Sequence, residues 1–575
     1  MISDRLPIFL DIETNGLNPD IIWIAVTKQG EQILKHYDAE TLREALDNDA
    51  PVVGHNMIGF DAPVIKKVWD IDIDKSRIID TLVLSRLENP QRDRGHNLAN
   101  WGSILGFPKG DHNDWSRLSP EMEEYCVRDV EVTEQAFHYL MTELEDFSEE
   151  SIKLEHEVQH IINQQIKYGW MLDIKKTHNL LALLKERKYD LEETLRKRFL
   201  PLPTFVEEVE PKRKKDGSLS KVGLKPFGEH WTDVAGTFSR IEYSCFNPGS
   251  RQQIGQRLKM CGWKPRKFTD TGQPMVDESV LSQIENIPEA KLISEYLLVQ
   301  KRMAQVYSWI DAVDEEDGRV HGYVNSNGAV TSRMTHSKPN LAQVPASYSP
   351  YGQECRECWA VPYGKSLVGF DASGLELRML AHYMGDKEYT NEILNGDIHT
   401  ANQKLAGLER RDQAKTFIYA LLYGAGDGKL GTVVGGDAKD GAELRQRFMS
   451  NLPAFANLRL RVSSKARRGQ LTGLDGRILH VRSEHSALNT LLQGAGAIVM
   501  KKALVILDDY AQRWKLDYHF VGNIHDEVQT EVRQGQEDKF GRLAVSCLEA
   551  AGLHFKLRCP LTGEYSYGKS WAETH

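Results

Sequence analysis

The chain has 575 residues, 41% of them hydrophobic and 27% charged, and a formal net charge of −10. That length exceeds a single hydrophobic core and predicts about three to five domains. No leader-like start and no run of about 18 apolar residues argue against secretion or a membrane span, and an odd, sparse set of seven cysteines points to reduced thiols in a cytoplasmic setting rather than a disulfide framework or a zinc site.

In chain order, IFLDIE and VVGHN read as buried strands. SPEMEEYCVRDVEVTEQAFHYLMTELE reads as a helix with a Ser-Pro start. Residues 1–146 therefore form an α/β domain. Residues 147–199 predict two long helices joined at YGWMLD. Residues 200–245, with Pro201, Pro203 and the run Lys212–Lys215, read as an irregular basic excursion or loop. Helices return over 247–310, short strands and turns over 320–370, helices over 386–470, and a long helix over 485–514. YHFVGNIHDEVQTEV predicts two strands around a turn.

Two constellations carry chemistry. Asp11 and Glu13 lie at i, i+2 on a strand and so face one way. Asp61 follows HNMIGF, where a strand turns into a helix, and Tyr125 and Asp129 share a helical face. Four converging carboxylates repel unless cations neutralise them, and hard divalent ions with oxygen ligands do so. Such ions can activate a water against a phosphodiester, with Tyr125 orienting it. Singly, a D-x-E pair is a common chance match, Asp61 could be a helix cap, and Asp129 a solvated helix residue.

The second constellation is spread over the C-terminal half. Asp371 ends an apolar strand and Asp526 sits in a hairpin turn. Spacing does not establish that they meet. If they do, they could hold two Mg²⁺ about 3.5–4 Å apart, with the Ala372 carbonyl as a further ligand. Arg411, Lys415, Tyr419 and Tyr423 recur at i+4 along one helix, cations at one end and aromatics at the other. They suit a triphosphate and a nucleoside, or simply make a helix with a charged end and an apolar end.

In combination these motifs resemble known families. D-I-E-T, H-N-x-x-x-F-D and Y-x-x-x-D, in that order, are similar to the DEDDy class of 3′→5′ exonucleases. DASGLELRMLAH, RxxxKxxxYxxxYG and HDE resemble motifs A, B and C of family A (polymerase I-like) DNA polymerases, supported by HGYVNSNGAVTSRMTHSKPNLAQVP, NGDIHTANQ and HSALNTLLQGAGA. The pairing most resembles the replicative polymerases of short-tailed bacteriophages, from about residue 9 to the C-terminus, weakening at 200–245.

The resemblance implies a multidomain α/β and α+β fold: an RNase H-like exonuclease domain (1–146), then a right hand of thumb (147–320, with a variable basic segment at 200–245), palm (321–384 and 486–575) and fingers (385–485). It implies Asp371 and Asp526 as metal ligands, with Glu527 beside them in a secondary role, and Glu376 as the steric gate against a ribose 2′-hydroxyl. His399, Arg411 and Lys415 become triphosphate ligands, Lys415 also a proton donor to pyrophosphate. Tyr419 and Tyr423 line the sugar and nascent pair, and a tyrosine at Tyr419 predicts ready use of dideoxynucleotides. Arg333, Gln343, Arg482, Asn489, Gln493 and His525 become DNA contacts, reading minor-groove acceptors that every Watson–Crick pair presents. FNPGSRQQIGQRL and KPRK offer phosphate contacts or are a solvated basic face.

The implied activity is template-directed DNA synthesis with proofreading, using two Mg²⁺ at each site, with Mn²⁺ as a substitute. Implied partners are primer-template DNA, dNTPs and a replicative helicase-primase, for a monomeric catalytic subunit in the host cytoplasm with no membrane. The phage relatives recruit host thioredoxin through a larger basic loop. At 200–245 this chain is shorter, which leaves a thioredoxin-like clamp and a direct DNA grip as alternatives. A dedicated RNase D-type exonuclease would leave the three polymerase motifs unused. Glu376 speaks against an RNA polymerase, and the full set of carboxylates speaks against an inactive scaffold.

Overall fold

A computed structural model describes residues 5–224 and 233–574. They form two compact units, one of Met1–Asp173 with Ala312–His575 and one of Ile174–Asp311.

The first unit opens with the expected α/β layer. The strand Ile8–Thr14 is central in a five-stranded sheet, pairing antiparallel with Ile22–Gln29 and parallel with Val52–Gly54. Its residues alternate between two apolar clusters, one on each face. Ile8, Leu10 and Ile12 pack on one side, and Phe9 packs on the other. A strand buried on both faces needs such near-continuous hydrophobicity, and Asp11 and Glu13 are the interruptions. The helix Pro120–Glu143 starts where Ser-Pro predicts, the Ser119 hydroxyl accepting from the Met122 amide.

The helix Glu149–Tyr168 follows, capped by Ser148. Its Leu154, Val158, Ile161 and Ile162 enter the large core of the C-terminal half. That core supports a four-stranded antiparallel sheet in the order Tyr518–Ile524, Glu527–Arg533, Lys365–Ala372, Gly563–Gly568. The two strands expected around the IHDE turn are Tyr518–Ile524 and Glu527–Arg533. A Cβ on Gly563 would lie 2.5 Å from the Asp371 carbonyl oxygen, so the sheet closes there only around glycine.

One expectation needs correcting. The helix Glu484–Arg513 does hold a window long and apolar enough to cross a membrane. Most of that window is buried in the core, which accounts for its hydrophobicity. Cys126, Cys245, Cys261, Cys547 and Cys559 are free thiols.

In the second unit, Ile174–Arg198 packs along Glu289–Ile310, tied by Arg187 to Glu295 at 2.6 and 2.9 Å. Where an irregular excursion was expected, Leu202–Val209 and Phe238–Ser244 form an antiparallel hairpin. Alternating side chains in both stretches explain it: Phe205 pairs with Ile241 and Pro203 with Tyr243. Residues 225–232 of that segment lie outside the described residues.

A buried ion cluster joins the first unit's layers. Glu155 on Glu149–Tyr168 accepts from Arg477 and, at 2.6 Å, from Lys501, while Asp475 holds the same guanidinium at 2.7 Å. All are essentially without solvent exposure. Removing one partner strands the others, so Glu155→Ala should destabilise the fold by about 3–5 kcal/mol. Chemical denaturation should show a lower midpoint; an unchanged midpoint would mean the cluster adds nothing.

Candidate active sites

The N-terminal carboxylates converge as expected. Asp11 and Glu13 leave the central strand on one face, with Asp61 at the first position of the helix Asp61–Trp69 and Asp129 on Pro120–Glu143. Asp61 and Asp129 are buried. Burial, with the neighbouring carboxylates, holds Asp11 well above the usual range and Glu13 at about 8. Burial also raises Asp61 to about 7 and Asp129 to about 6, the latter opposed by Lys109. Cys126 sits among them, its thiol 3.5 Å from an Asp11 oxygen. The ligand atoms of Asp11, Glu13 and Cys126 lie within 4.8 Å of one another. Tyr125, one turn before Asp129, meets His112 and Trp115 edge-on or tilted, ring centroids 5.7 and 5.8 Å away.

Two groups here were not anticipated. Lys109 reaches Asp129 at 2.5 Å and lies 4.6 Å from the Tyr125 ring centre. Asp80 accepts hydrogen bonds from the Asn56, Ile58 and Leu82 amides and so shapes the loop leading into Asp61. Lys109 lies in an aperiodic Pro-Lys-Gly turn and carried no pattern; Asp80 ends a strand as an ordinary helix cap would.

The C-terminal pair also meets. Asp371 ends its strand beside Glu527 in register, and the Ala372 amide donates to the Asp526 carbonyl at 3.1 Å. His525, at φ 61°, holds the left-handed conformation that turns the hairpin there. Asp526 is exposed and Asp371 half-buried. Glu527 opens the strand after the turn, and its carboxylate is buried, accepting from Trp571 and, at 2.7 Å, from Gln529.

The helix Arg411–Leu422 faces this pair, anchored by Phe417 against Phe448. Its aromatic end reaches across: the Tyr423 hydroxyl donates to Glu376 at 2.9 Å, and Arg333 donates to the same oxygen at 3.3 Å. Burial raises the Tyr419 phenol, helped by Glu376 and Asp526. Its ring lies 6.2 Å from Tyr423 and 6.3 Å from His399. At the cationic end, Arg411 grips Asp397 at 2.6 and 3.0 Å, and Lys415 is exposed. Asp397, unanticipated, caps the helix bearing His399 and thereby ties two triphosphate candidates together.

Asn489 and Gln493 share a face of Ala487–Arg513. Gln343 sits in a short helical turn, exposed. Arg482 donates to Gln91 of the N-terminal layer at 2.6 Å.

Donor chemistry fits divalent cations at both clusters. In the first, Asp129 Oδ1 is buried with no hydrogen-bond partner, an orphan that a cation would satisfy.

Comparison with known proteins agrees with this geometry. The family model "DNA polymerase family A" matches residues 225–573. The DNA-directed DNA polymerase of Enterobacteria phage T3 is 35% identical, the match covering 91% of this chain and 92% of that protein. That of Escherichia phage T7 is 34% identical, covering 94% of each. The POL domain of Pol1 from M. smegmatis, solved with DNA primer-template and dNTP, superposes with a TM-score of 0.79 over 99% of this chain and 96% of that one. At 18% identity, that likeness is one of fold.

The raised carboxylates predict a pH dependence. Folded Glu13, Asp61 and Asp129 keep protons to about 8, 7 and 6, above their ordinary values of 4.5, 3.8 and 3.8. The metal-free fold therefore gains most from them below about pH 4 and loses that gain as pH rises toward about 8. In EDTA, Tm should fall across this window. The Tm gained on adding Mg²⁺ should widen as pH rises, and a constant gain would contradict the assignment.

Proposed function

The chain belongs to DNA polymerase family A, and on that premise we propose that it copies a DNA template and edits its own product with the N-terminal carboxylates. Its sheet of Lys365–Ala372 and Tyr518–Arg533 is the palm, Arg411–Leu422 belongs to the fingers, and the unit Ile174–Asp311 is the thumb. Residues 1–146 are then an RNase H-like exonuclease domain.

The observation that carries the polymerase reading is the backbone bond from Ala372 to Asp526. It clamps the two carboxylates to adjacent strand ends, opposite a helix bearing cations and aromatics. Asp371, Asp526 and the Ala372 carbonyl would hold Mg²⁺, which neutralises phosphate charge and acidifies the primer 3′-hydroxyl. His399, Arg411 and Lys415 bind the triphosphate, Arg411 exchanging Asp397 for phosphate oxygens, and Lys415 gives a proton to departing pyrophosphate. Glu376, fixed by Tyr423 and Arg333, stands where a 2′-hydroxyl would clash. Asn489, Gln493, Gln343, Arg333 and His525 face the growing pair, where minor-groove acceptors report pair geometry rather than sequence.

At the editing site, Asp11, Glu13, Asp61 and Asp129 would hold Mg²⁺, and Tyr125 orients the attacking water. The likeness to the DNA-directed DNA polymerases of phages T3 and T7 supports a phage replicative enzyme acting on primer-template DNA.

Primer extension tests the first activity: Asp526→Ala should abolish it, and surviving extension would overturn the reading. Removal of a mismatched 3′ nucleotide tests the second, with Asp11→Ala expected to lower it at least about a hundredfold while extension persists. Tyr419→Phe should raise the preference for deoxy- over dideoxynucleotides; an unchanged preference would exclude Tyr419 from sugar selection.

A further inference from the structure

We propose that Lys109 is a built-in counter-ion that occupies Asp129 while the N-terminal site is empty and has to yield it before divalent metal binds, so that Lys109 sets the metal threshold of editing. This rests on the reading of that site as the exonuclease.

The geometry is specific. The Lys109 ammonium meets Asp129 Oδ2 at 2.5 Å, while Oδ1 of the same carboxylate is buried and unpartnered. The lysine side chain keeps only 23% of its exposure and the Asp129 side chain 4%, so water screens the pair poorly. Lys109 is delivered on a tightly seated loop. The Phe107 amide donates to the Gly102 carbonyl at 2.9 Å, and a Cβ on Gly102 would lie 2.8 Å from the Lys109 backbone nitrogen, so the loop's backbone is fixed against the Leu98–Ile104 helix while the ion pair with Asp129 fixes the side chain. The ammonium is therefore placed by the fold.

Charge balance gives the placement a purpose. Asp11, Glu13, Asp61 and Asp129 carry −4 when ionised, and one lysine relieves part of that. Two divalent ions supply +4, and a cation already on Asp129 repels them. With metal bound, the lysine's +1 is matched by the −1 of the scissile phosphate. Lys109 thus opposes metal loading most strongly in the empty site, and the scissile phosphate of bound DNA lessens that opposition without removing it.

The test is Mn²⁺ binding by calorimetry in the full chain carrying Asp371→Ala and Asp526→Ala, which leaves the N-terminal cluster as the measured site. Lys109→Met should bind Mn²⁺ at least about tenfold more tightly. Lys109→Gln should behave alike, and Lys109→Arg should stay near the parent. In chains with Asp371 and Asp526 intact, the Mg²⁺ midpoint for removing a mismatched 3′ nucleotide should fall in Lys109→Met, while that for primer extension stays put and reports a folded chain. Unchanged or weaker Mn²⁺ binding in both neutral variants would overturn the counter-ion role. If the unsubstituted chain binds Mn²⁺ there but removes no nucleotide, the exonuclease reading itself fails.

Discussion

The buried Glu155 carboxylate is the constraint on which the two halves of the first unit depend. A charge without solvent is tolerable only when it is paired, and Glu155 Oε1 meets both Arg477 and Lys501, from two separate C-terminal elements. The next residue, His156, turns the other way and accepts the Asp80 amide at 2.9 Å. Two turns further on, Asn163 donates to the Ile58 carbonyl, three residues before Asp61. One helix thus registers the N-terminal loop that delivers a carboxylate against the hairpin and long helix of the C-terminal core. Sliding it by one position would strand ions on one side and undo the Asp61 loop on the other.

The two acidic clusters are built by different devices. Asp371 and Asp526 sit at neighbouring strand ends joined by a backbone hydrogen bond, whereas the N-terminal cluster gathers a strand, a helix start and a helix packed on the sheet. Their environments differ in a way that suits the proposed tasks. The N-terminal cluster is enclosed, with pKa values raised by burial and mutual repulsion and a lysine to relieve it. The Asp371–Asp526 pair is open, and its counter-charges stand across the cleft on the Arg411–Leu422 helix. An open pair suits a substrate that arrives with its own phosphates. An enclosed cluster suits a single strand end that must be fed in.

Most of the machinery was legible because it is local. The i, i+2 carboxylates of the first strand, the i+4 face of the Arg411–Leu422 helix and the turn at Asp526 follow from periodicity alone. What periodicity could not show is who meets whom over distance. The Ala372–Asp526 bond, the Tyr423–Glu376 bond and the Arg411–Asp397 pair join residues far apart or on separate helices. Lys109 was invisible for the same reason, since an aperiodic turn is placed by tertiary packing. The hairpin at 202–244 was hidden by composition: prolines and a basic run suggested a loop, while the cross-strand pairs Phe205–Ile241 and Pro203–Tyr243 prevailed. Glu527 shows the converse, since neighbouring Asp526 in sequence did not direct its carboxylate toward the cleft.

The central claim is that one chain carries two separate divalent-metal centres, one for adding nucleotides and one for removing them. Anomalous scattering from crystals grown with Mn²⁺, a dideoxy-terminated primer-template and the next dNTP tests it directly. The account predicts manganese peaks against Asp371, Ala372 and Asp526, and, when a single-stranded 3′ end is supplied instead, against Asp11, Glu13, Asp61 and Asp129. A ternary complex with no metal between Asp371 and Asp526 would contradict it.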